Sequence, residues 1–454
     1  MHRLRFFLLA LATCLLPLDP ALAASAAKPN IVLILADDLG YGDVGCYGQQ
    51  QIATPRIDRL ASQGMRFTQA YAGSTVCAPS RCCLMTGMHT GHARVRGNAL
   101  VPLEAADVTV AKLLQSAGYR TGIVGKWGLG EPDTSGLPTR QGFDTWFGYL
   151  NQKHAHDYFP EYLWRGTKRE ELAGNRNGAK GDYTPDLMQR EAIGFLQEQQ
   201  AGKPFFLYLA LTLPHANNEL GSQTGNGMEI PDAGIYRDMT WPAPQRNHAA
   251  MISKLDSIVG AVLDELETRG LADSTLVLFS SDNGPHKEGG ADPAFFRSSG
   301  PLKGYKRDLY EGGIRVPFIA RWPQHVAANT VTDQVTAFWD FLPTAAELAG
   351  VASPQNIDGV SIVPTLIGEK AAGHPQAQHK FLYWEFHERG TLQGVRSGDW
   401  KGIRKGKKPL ELYNLREDVG EMHNLAGDHP DVVAKLNGYL DGARSESEHW
   451  PIKK

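Results

Sequence analysis

An α/β fold built on a large, mainly parallel sheet is the architecture this sequence predicts, and three observations point to it. Short apolar, β-rich runs alternate with amphipathic helical patterns over most of the chain, as in strands joined by crossover helices. Acidic residues and amides directly follow some of those runs, at the strand ends where open parallel sheets gather their functional groups. Past about residue 375 the alternation stops, and strand-like runs follow one another without helices. The 454 residues, 42% of them hydrophobic, suffice for one large core and a smaller one.

In chain order, residues 31–35 read as a buried strand and 56–62 as a helix stopped by Gly64. Residues 107–116 form a helix ended by Gly118, followed by a strand at 121–125. A helix at 185–200 precedes a strand at 205–211, a long helix at 247–267 precedes a strand at 275–280, and 337–349 is a further helix. Runs at 381–386, 391–396, 400–404 and 410–413 read as a small antiparallel sheet, with a helix at 431–443 packed on it. Residues 166–181, polar and Gly-rich, and 217–238, rich in turn formers, read as surface loops near the substrate mouth. This divides the chain into a leader, 1–23, a large α/β domain, 24–375, and a small C-terminal α+β subdomain, 376–454.

The leader has a basic start (His2, Arg3, Arg5), an apolar run over 6–18 and Ala21-Leu22-Ala23, the pattern of a cleaved secretory signal. The run is short for a bilayer span, and Pro17, Asp19 and Pro20 interrupt it. The lipoprotein alternative rests on Leu11-Ala12-Thr13-Cys14, with Thr13 where a smaller residue is usual. An exported protein, periplasmic or secreted and without a membrane span, is expected. The net charge of −3 and the lack of a long Lys/Arg run give no sign of a nucleic-acid partner. Apart from Cys14, the cysteines are Cys46, Cys77, Cys82 and Cys83. Cys82 and Cys83 are adjacent in a predicted helix, and no disulfide framework is expected.

Asp37 and Asp38 follow the first buried strand, and Asp282 and Asn283 follow another apolar run, 276–281. Two strands thus bring three carboxylates and an amide to one sheet edge. Like charges so placed repel. A hard divalent cation resolves the repulsion, and an oxygen-only set suits Ca²⁺, with Mg²⁺ as the alternative. Asp43 reads as a turn cap. Cys77 and Arg81 are four apart around Pro79. A helix starting there places both side chains on one face, with its N-terminus supporting an anion.

The run Cys77-Ala78-Pro79-Ser80-Arg81-Cys82-Cys83-Leu84-Met85-Thr86-Gly87 fills every fixed position of C-x-P-S-R-x-x-L-x-T-G. It resembles the signature of the type I sulfatases, arylsulfatase-A-like, in the subgroup of polysaccharide-degrading bacteria. The resemblance extends over the mature chain, including Asp340-Phe341-Leu342-Pro343-Thr344 and Leu412-Tyr413-Asn414-Leu415. It implies an alkaline-phosphatase-like sandwich, with helices on both faces of a large mixed sheet. It also implies hydrolysis of sulfate monoesters of carbohydrates or aryl alcohols, sugars of the galactose or N-acetylgalactosamine type being plausible substrates.

In such enzymes the position of Cys77 is oxidised to formylglycine by a maturation enzyme. The hydrated aldehyde carries two hydroxyls, so one attacks sulfur and the other lets sulfate leave by C–O cleavage. Cys77 also counts among the metal ligands, with Asp37, Asp38, Asp282 and Asn283. Lys126, His215 and Lys306 match further family positions beside Arg81. His215 and Lys306 are the candidate acids for the leaving oxygen, and Lys303 reads as more peripheral.

One departure stands out. Sulfatases read G-K-W-H-L-G where this chain has Gly125-Lys126-Trp127-Gly128-Leu129-Gly130. The role of the missing imidazole passes to water or to another histidine, and His89, His92, His154 and His156 are all open. His154 and His156 lie in a loop and read as substrate contacts in preference to a metal pair. Glu385 and His387 alternate on a C-terminal strand and read either as rim residues for sugar hydroxyls or as a plain surface face. Arg94 and Arg96 read as rim charge or as solvated residues. Two other functions stay open on sequence alone: a phosphonate or phosphodiester hydrolase of the same superfamily, and a non-catalytic sulfated-glycan binding protein.

Overall fold

The computed structural model describes residues 28–388 and 390–452; the leader expected at 1–23 lies outside them. A ten-stranded sheet runs in the order Thr330–Thr332, Met65–Phe67, Phe318–Arg321, Thr275–Ser281, Asn30–Ala36, Phe205–Ala210, Arg120–Lys126, Thr145–Tyr149, Tyr162–Arg165, Lys168–Glu171. From Thr275–Ser281 to Thr145–Tyr149 neighbouring strands are parallel. Phe318–Arg321 and the Tyr162–Arg165/Lys168–Glu171 hairpin run antiparallel to their neighbours.

The central strands are apolar on both faces because helices cover both. Ile31, Leu33 and Leu35 join one core with residues of the helices Cys77–Thr86, Val110–Ser116 and Phe341–Leu348. Val32, Ile34 and Ala36 join the opposite core with Pro55–Ser62, Thr184–Gln197 and Ala243–Thr268. The small sheet Leu382–Phe386, Leu392–Ser397, Trp400–Lys405, Glu411–Asn414 is an antiparallel meander. The helix Pro430–Gly442 buries Leu436 and Leu440 against it. Leu382, Trp384 and Phe386 of its first strand face the main core, so the small sheet is packed onto the large one. This is the mixed sandwich that the motif implies, with the small antiparallel sheet expected from the C-terminal runs.

Three expectations need adjustment. The helix expected from 107 starts at Val110, because the Thr109 hydroxyl accepts the Lys112 N–H at 3.2 Å and caps it there. The stretch expected as loop at 166–181 contains the edge strand Lys168–Glu171, whose charged residues suit an exposed sheet edge. That expected at 217–238 contains the helix Asn218–Thr224, capped by the Asn217 side chain. No helix among the described residues is long and apolar enough to cross a membrane.

Candidate active site

Four adjacent parallel strands deliver the site from their carboxyl ends. Ala36 pairs in register with Ser281, so Asp37 and Asp282, the next residues, emerge side by side. Lys126 ends its strand, and His215 lies in the turn after Phe205–Ala210. The Tyr158 hydroxyl lies 2.7 Å from the carbonyl oxygens of both Thr212 and His215, shares its one proton between them and pins that turn. Asp38 holds a left-handed φ of 64°, local strain of the kind found at functional sites.

Cys77 is the first residue of a ten-residue helix buried along its whole length. Its thiol donates to Asp37 Oδ1 at 3.2 Å. One turn on, Arg81 donates to Asp282 Oδ2 through Nε at 3.0 Å and Nη2 at 2.8 Å, and lies 3.5 Å from Asp37. Lys126 Nζ reaches Asp37 Oδ2 at 2.6 Å, and Lys306 Nζ reaches Asp38 Oδ2 at 2.8 Å. Asn283 donates through Nδ2 to Asp38 Oδ1 at 2.7 Å, while its buried Oδ1 has no partner. The structure thus gathers Asp37, Asp38, Cys77, Arg81, Lys126, His215, Asp282, Asn283 and Lys306 in one buried cluster.

The electrostatics are tense. Burial and then Asp37 push the Asp282 carboxyl up, outweighing Arg81. Burial would raise Asp37 too, but Lys126, Arg81 and Lys306 hold it well below the usual carboxylate range. Burial, Asp282 and Asp37 push the Cys77 thiol well up, so it stays protonated. Burial and the neighbouring Lys306 keep His215 neutral. His215 donates from Nδ1 to the Ala216 carbonyl at 2.7 Å, which leaves Nε2 to accept from Lys306 Nζ at 3.1 Å. An oxygen donor set with an orphaned amide oxygen and mutually repelling carboxylates fits a hard divalent cation.

The remaining expected residues separate. His156 stacks on His215, ring centroids 4.9 Å apart, and its Nδ1 lies 3.0 Å from Glu219. His154 turns instead onto Tyr149 and Tyr162. His89 and His92 stack on each other and pair with Asp358, in a cluster separate from Cys77.

Glu385 corrects the rim expectation: it is fully buried, its carboxylate taken up by Arg96, His387, Tyr383 and Arg444. No lone pair is left for a sugar hydroxyl. His387 spends its Nε2 on that carboxylate, and Arg96 is buried with it. Arg94 pairs with Glu104 and Asp107.

Glu288, Arg307 and Gln152 carried no sequence signal. Glu288 accepts Lys306 Nζ at 3.0 Å and also binds Arg307, which reaches Glu388 beside the small sheet at 3.2 Å. Gly128, at φ 80°, leaves the space where its side chain would stand to Gln152. Both polar atoms of the Gln152 amide are buried without partners.

The sulfatase family model matches residues 29–351, and the model described as N-sulphoglucosamine sulphohydrolase, C-terminal, matches 304–446. Human arylsulfatase A is 34% identical over 472 residues, spanning 91% of this chain and 87% of that enzyme. An N-acetylgalactosamine-6-O-sulfatase of Bacteroides thetaiotaomicron is 30% identical, spanning 93% of this chain and 94% of its own. Among solved structures, Ps i-CgsB in complex with k-i-k-neocarrahexaose superposes with a TM-score of 0.79 at 27% identity, covering 94% of this chain and 95% of that one. The fold, the signature around Cys77 and these likenesses over nearly the whole chain agree: it belongs to the sulfatase family.

Proposed function

We propose that this sulfatase hydrolyses sulfate monoesters of carbohydrates, with position 77 as nucleophile after conversion of Cys77 to formylglycine by a maturation enzyme. The observation that carries the reading is Cys77 itself. As a thiol it is protonated and lies against Asp37, a poor nucleophile in a site otherwise organised for attack on an anion. Formylglycine would supply a hydroxyl of the hydrated aldehyde there. Asp37, Asp38, Asp282, Asn283 and position 77 would hold Ca²⁺, or Mg²⁺, which supplies charge neutralisation and a lowered hydroxyl pKa.

The chain's own residues do the rest. Three carboxylates face three fixed cations, Arg81, Lys126 and Lys306, so a divalent ion leaves the pocket positive for sulfate. Arg81 and Lys126 are braced by Asp282 and Asp37 and stabilise charge as the ester bond breaks. Lys306 carries the proton nearest to neutral His215 Nε2, and this pair protonates the departing alcohol oxygen. His156, stacked on His215, stands at the substrate side. The sugar relatives of this chain favour a galactose- or N-acetylgalactosamine-type substrate. Residues 24–375 form the catalytic domain and 376–454 the small subdomain, and the leader at 1–23 directs export to the periplasm or medium.

The test joins two measurements on protein from its native host or co-produced with a maturation enzyme. The mass of the Cys77 peptide should show the aldehyde. Aryl sulfate should be turned over faster than aryl phosphate mono- or diesters, and Cys77→Ala should abolish that turnover. An unmodified Cys77 in protein that binds sulfated sugars without turnover would favour the binding-protein reading instead. Faster turnover of phosphodiesters would favour the other hydrolase.

A further inference from the structure

The loop 151–157 divides two spaces. On one side His156 lies against His215. On the other opens a groove of about 590 Å³, lined in part by Lys153, Asp157, Phe159, Lys180, Glu219 and Glu229. This is within the range of sites that hold small molecules. Glu219 on its wall bonds His156, which stacks on His215, so these side chains link it to the sulfate pocket. Past Phe159 and Lys180 it meets a second depression of about 420 Å³.

The character of this groove differs from that of the sulfate pocket. Its charged side chains are two lysines, Lys153 and Lys180, against three carboxylates, Asp157, Glu219 and Glu229. Lys180 is already committed: its Nζ lies 2.6 Å from Glu229, which also accepts from Asn217 at 2.7 Å. No cation surplus is left for a second sulfate or a carboxylate. Polar groups beside the partly buried ring of Phe159 suit instead a neutral, hydroxyl-rich ligand with apolar C–H faces.

We propose that this groove binds the neutral sugar residue joined to the sulfated one, so that the enzyme recognises an oligosaccharide and discriminates against an anionic neighbour. This rests on the carbohydrate-sulfatase reading above. The calcium-loaded, full-length Cys77→Ala protein, which does not turn its ligand over, is titrated calorimetrically with galactose and N-acetylgalactosamine sulfates. Each is used as a monosaccharide, linked to unsulfated galactose, and linked to glucuronate. For whichever sulfated sugar binds, the neutral neighbour should tighten Kd about tenfold, the worth of one or two hydrogen bonds, and glucuronate less than threefold.

Gln223 and Lys153 are exposed on the groove wall. Gln223→Trp or Lys153→Trp should remove the gain while leaving the monosaccharide Kd within twofold. Equal affinity for mono- and disaccharide, a larger gain with glucuronate, or a gain that survives both variants overturns the groove. Binding of no sulfated sugar by a protein whose converted form cleaves aryl sulfate overturns the carbohydrate reading and the groove with it. Absence of aryl sulfate turnover in converted protein strikes at the sulfatase assignment itself.

Discussion

Two buried charge clusters behave in opposite ways. Around Glu385, four donors meet one carboxylate, two on each oxygen: Arg96 and His387 at 2.9 and 3.0 Å, Tyr383 and Arg444 at 2.8 and 2.9 Å. Around Asp282, three carboxylates crowd together, an amide oxygen of Asn283 goes unpaired and a protonated thiol is held among the charges. The first cluster is complete with the chain's own atoms and fastens the small sheet to the large one. The second is complete only with something added. A buried polar group is costly unless paired, so an unpaired group at the sheet's carboxyl edge points to a ligand, and a saturated one to architecture.

The sharpest way to break this comparison is to neutralise one carboxylate in each cluster. Asp282→Asn should lower kcat by about 10³-fold or more and lower metal content with it. The metal-free protein should unfold at an unchanged or higher temperature, because a repulsion is removed. Glu385→Ala strands Arg96 and Arg444 and should cost about 3–5 kcal/mol of stability. Its kcat/KM should fall equally on sulfated sugar and aryl sulfate, in proportion to the folded fraction. A selective loss on sugar would return Glu385 to substrate binding.

A pH titration separates the clusters next. Burial opposes ionisation of Glu385, but His387, Arg96 and Arg444 together lower it from the usual 4.5 to about 2. The folded state then binds fewer protons than the unfolded one, so the stabilisation is full above about pH 4.5. It fades as pH falls toward 2, on the order of 3 kcal/mol in all. Denaturant midpoints measured from pH 5 to 2 should fall less steeply in Glu385→Gln. Parallel slopes would remove Glu385 from the acid response.

Chelation probes the other cluster. Stripping divalent ions should abolish activity and lower the melting temperature, by an amount equivalent to about 2.7 kcal/mol at metal a hundredfold above Kd. Ca²⁺ should restore both. Recovery with Zn²⁺ alone would contradict the oxygen-only donor set. The smallest effect is expected at Gly128→Ala, about 1–2 kcal/mol, from a left-handed φ plus collision with the Gln152 amide. Adding Gln152→Ala should recover the steric share and leave the backbone share. Full recovery would show that φ costs nothing there.

Much of this molecule is legible in its sequence alone. Ile31–Leu35 reads as a strand because it is apolar without interruption, and Asp37 and Asp38 come directly after it, so their place at the sheet edge is set by chain order. The signature beginning at Cys77 is contiguous, as is the helix that presents it. The existence of a strand and the identity of the residues at its carboxyl end are local properties, written within a few positions. What only the tertiary structure decided depends on contacts between residues far apart in the chain. Glu385 alternates with His387 as a surface pair would, yet Arg96, distant in sequence, and Arg444 close over it. His154 and His156 are two residues apart but face different spaces, because a 3₁₀ turn over His154–His156 turns their side chains apart. Glu288 becomes a partner of Lys306, and Gln152 takes the place beside Gly128, through loop packing alone. Strand order brings backbone ends together, whereas the saturation of a buried charge is settled by how many distant donors reach it.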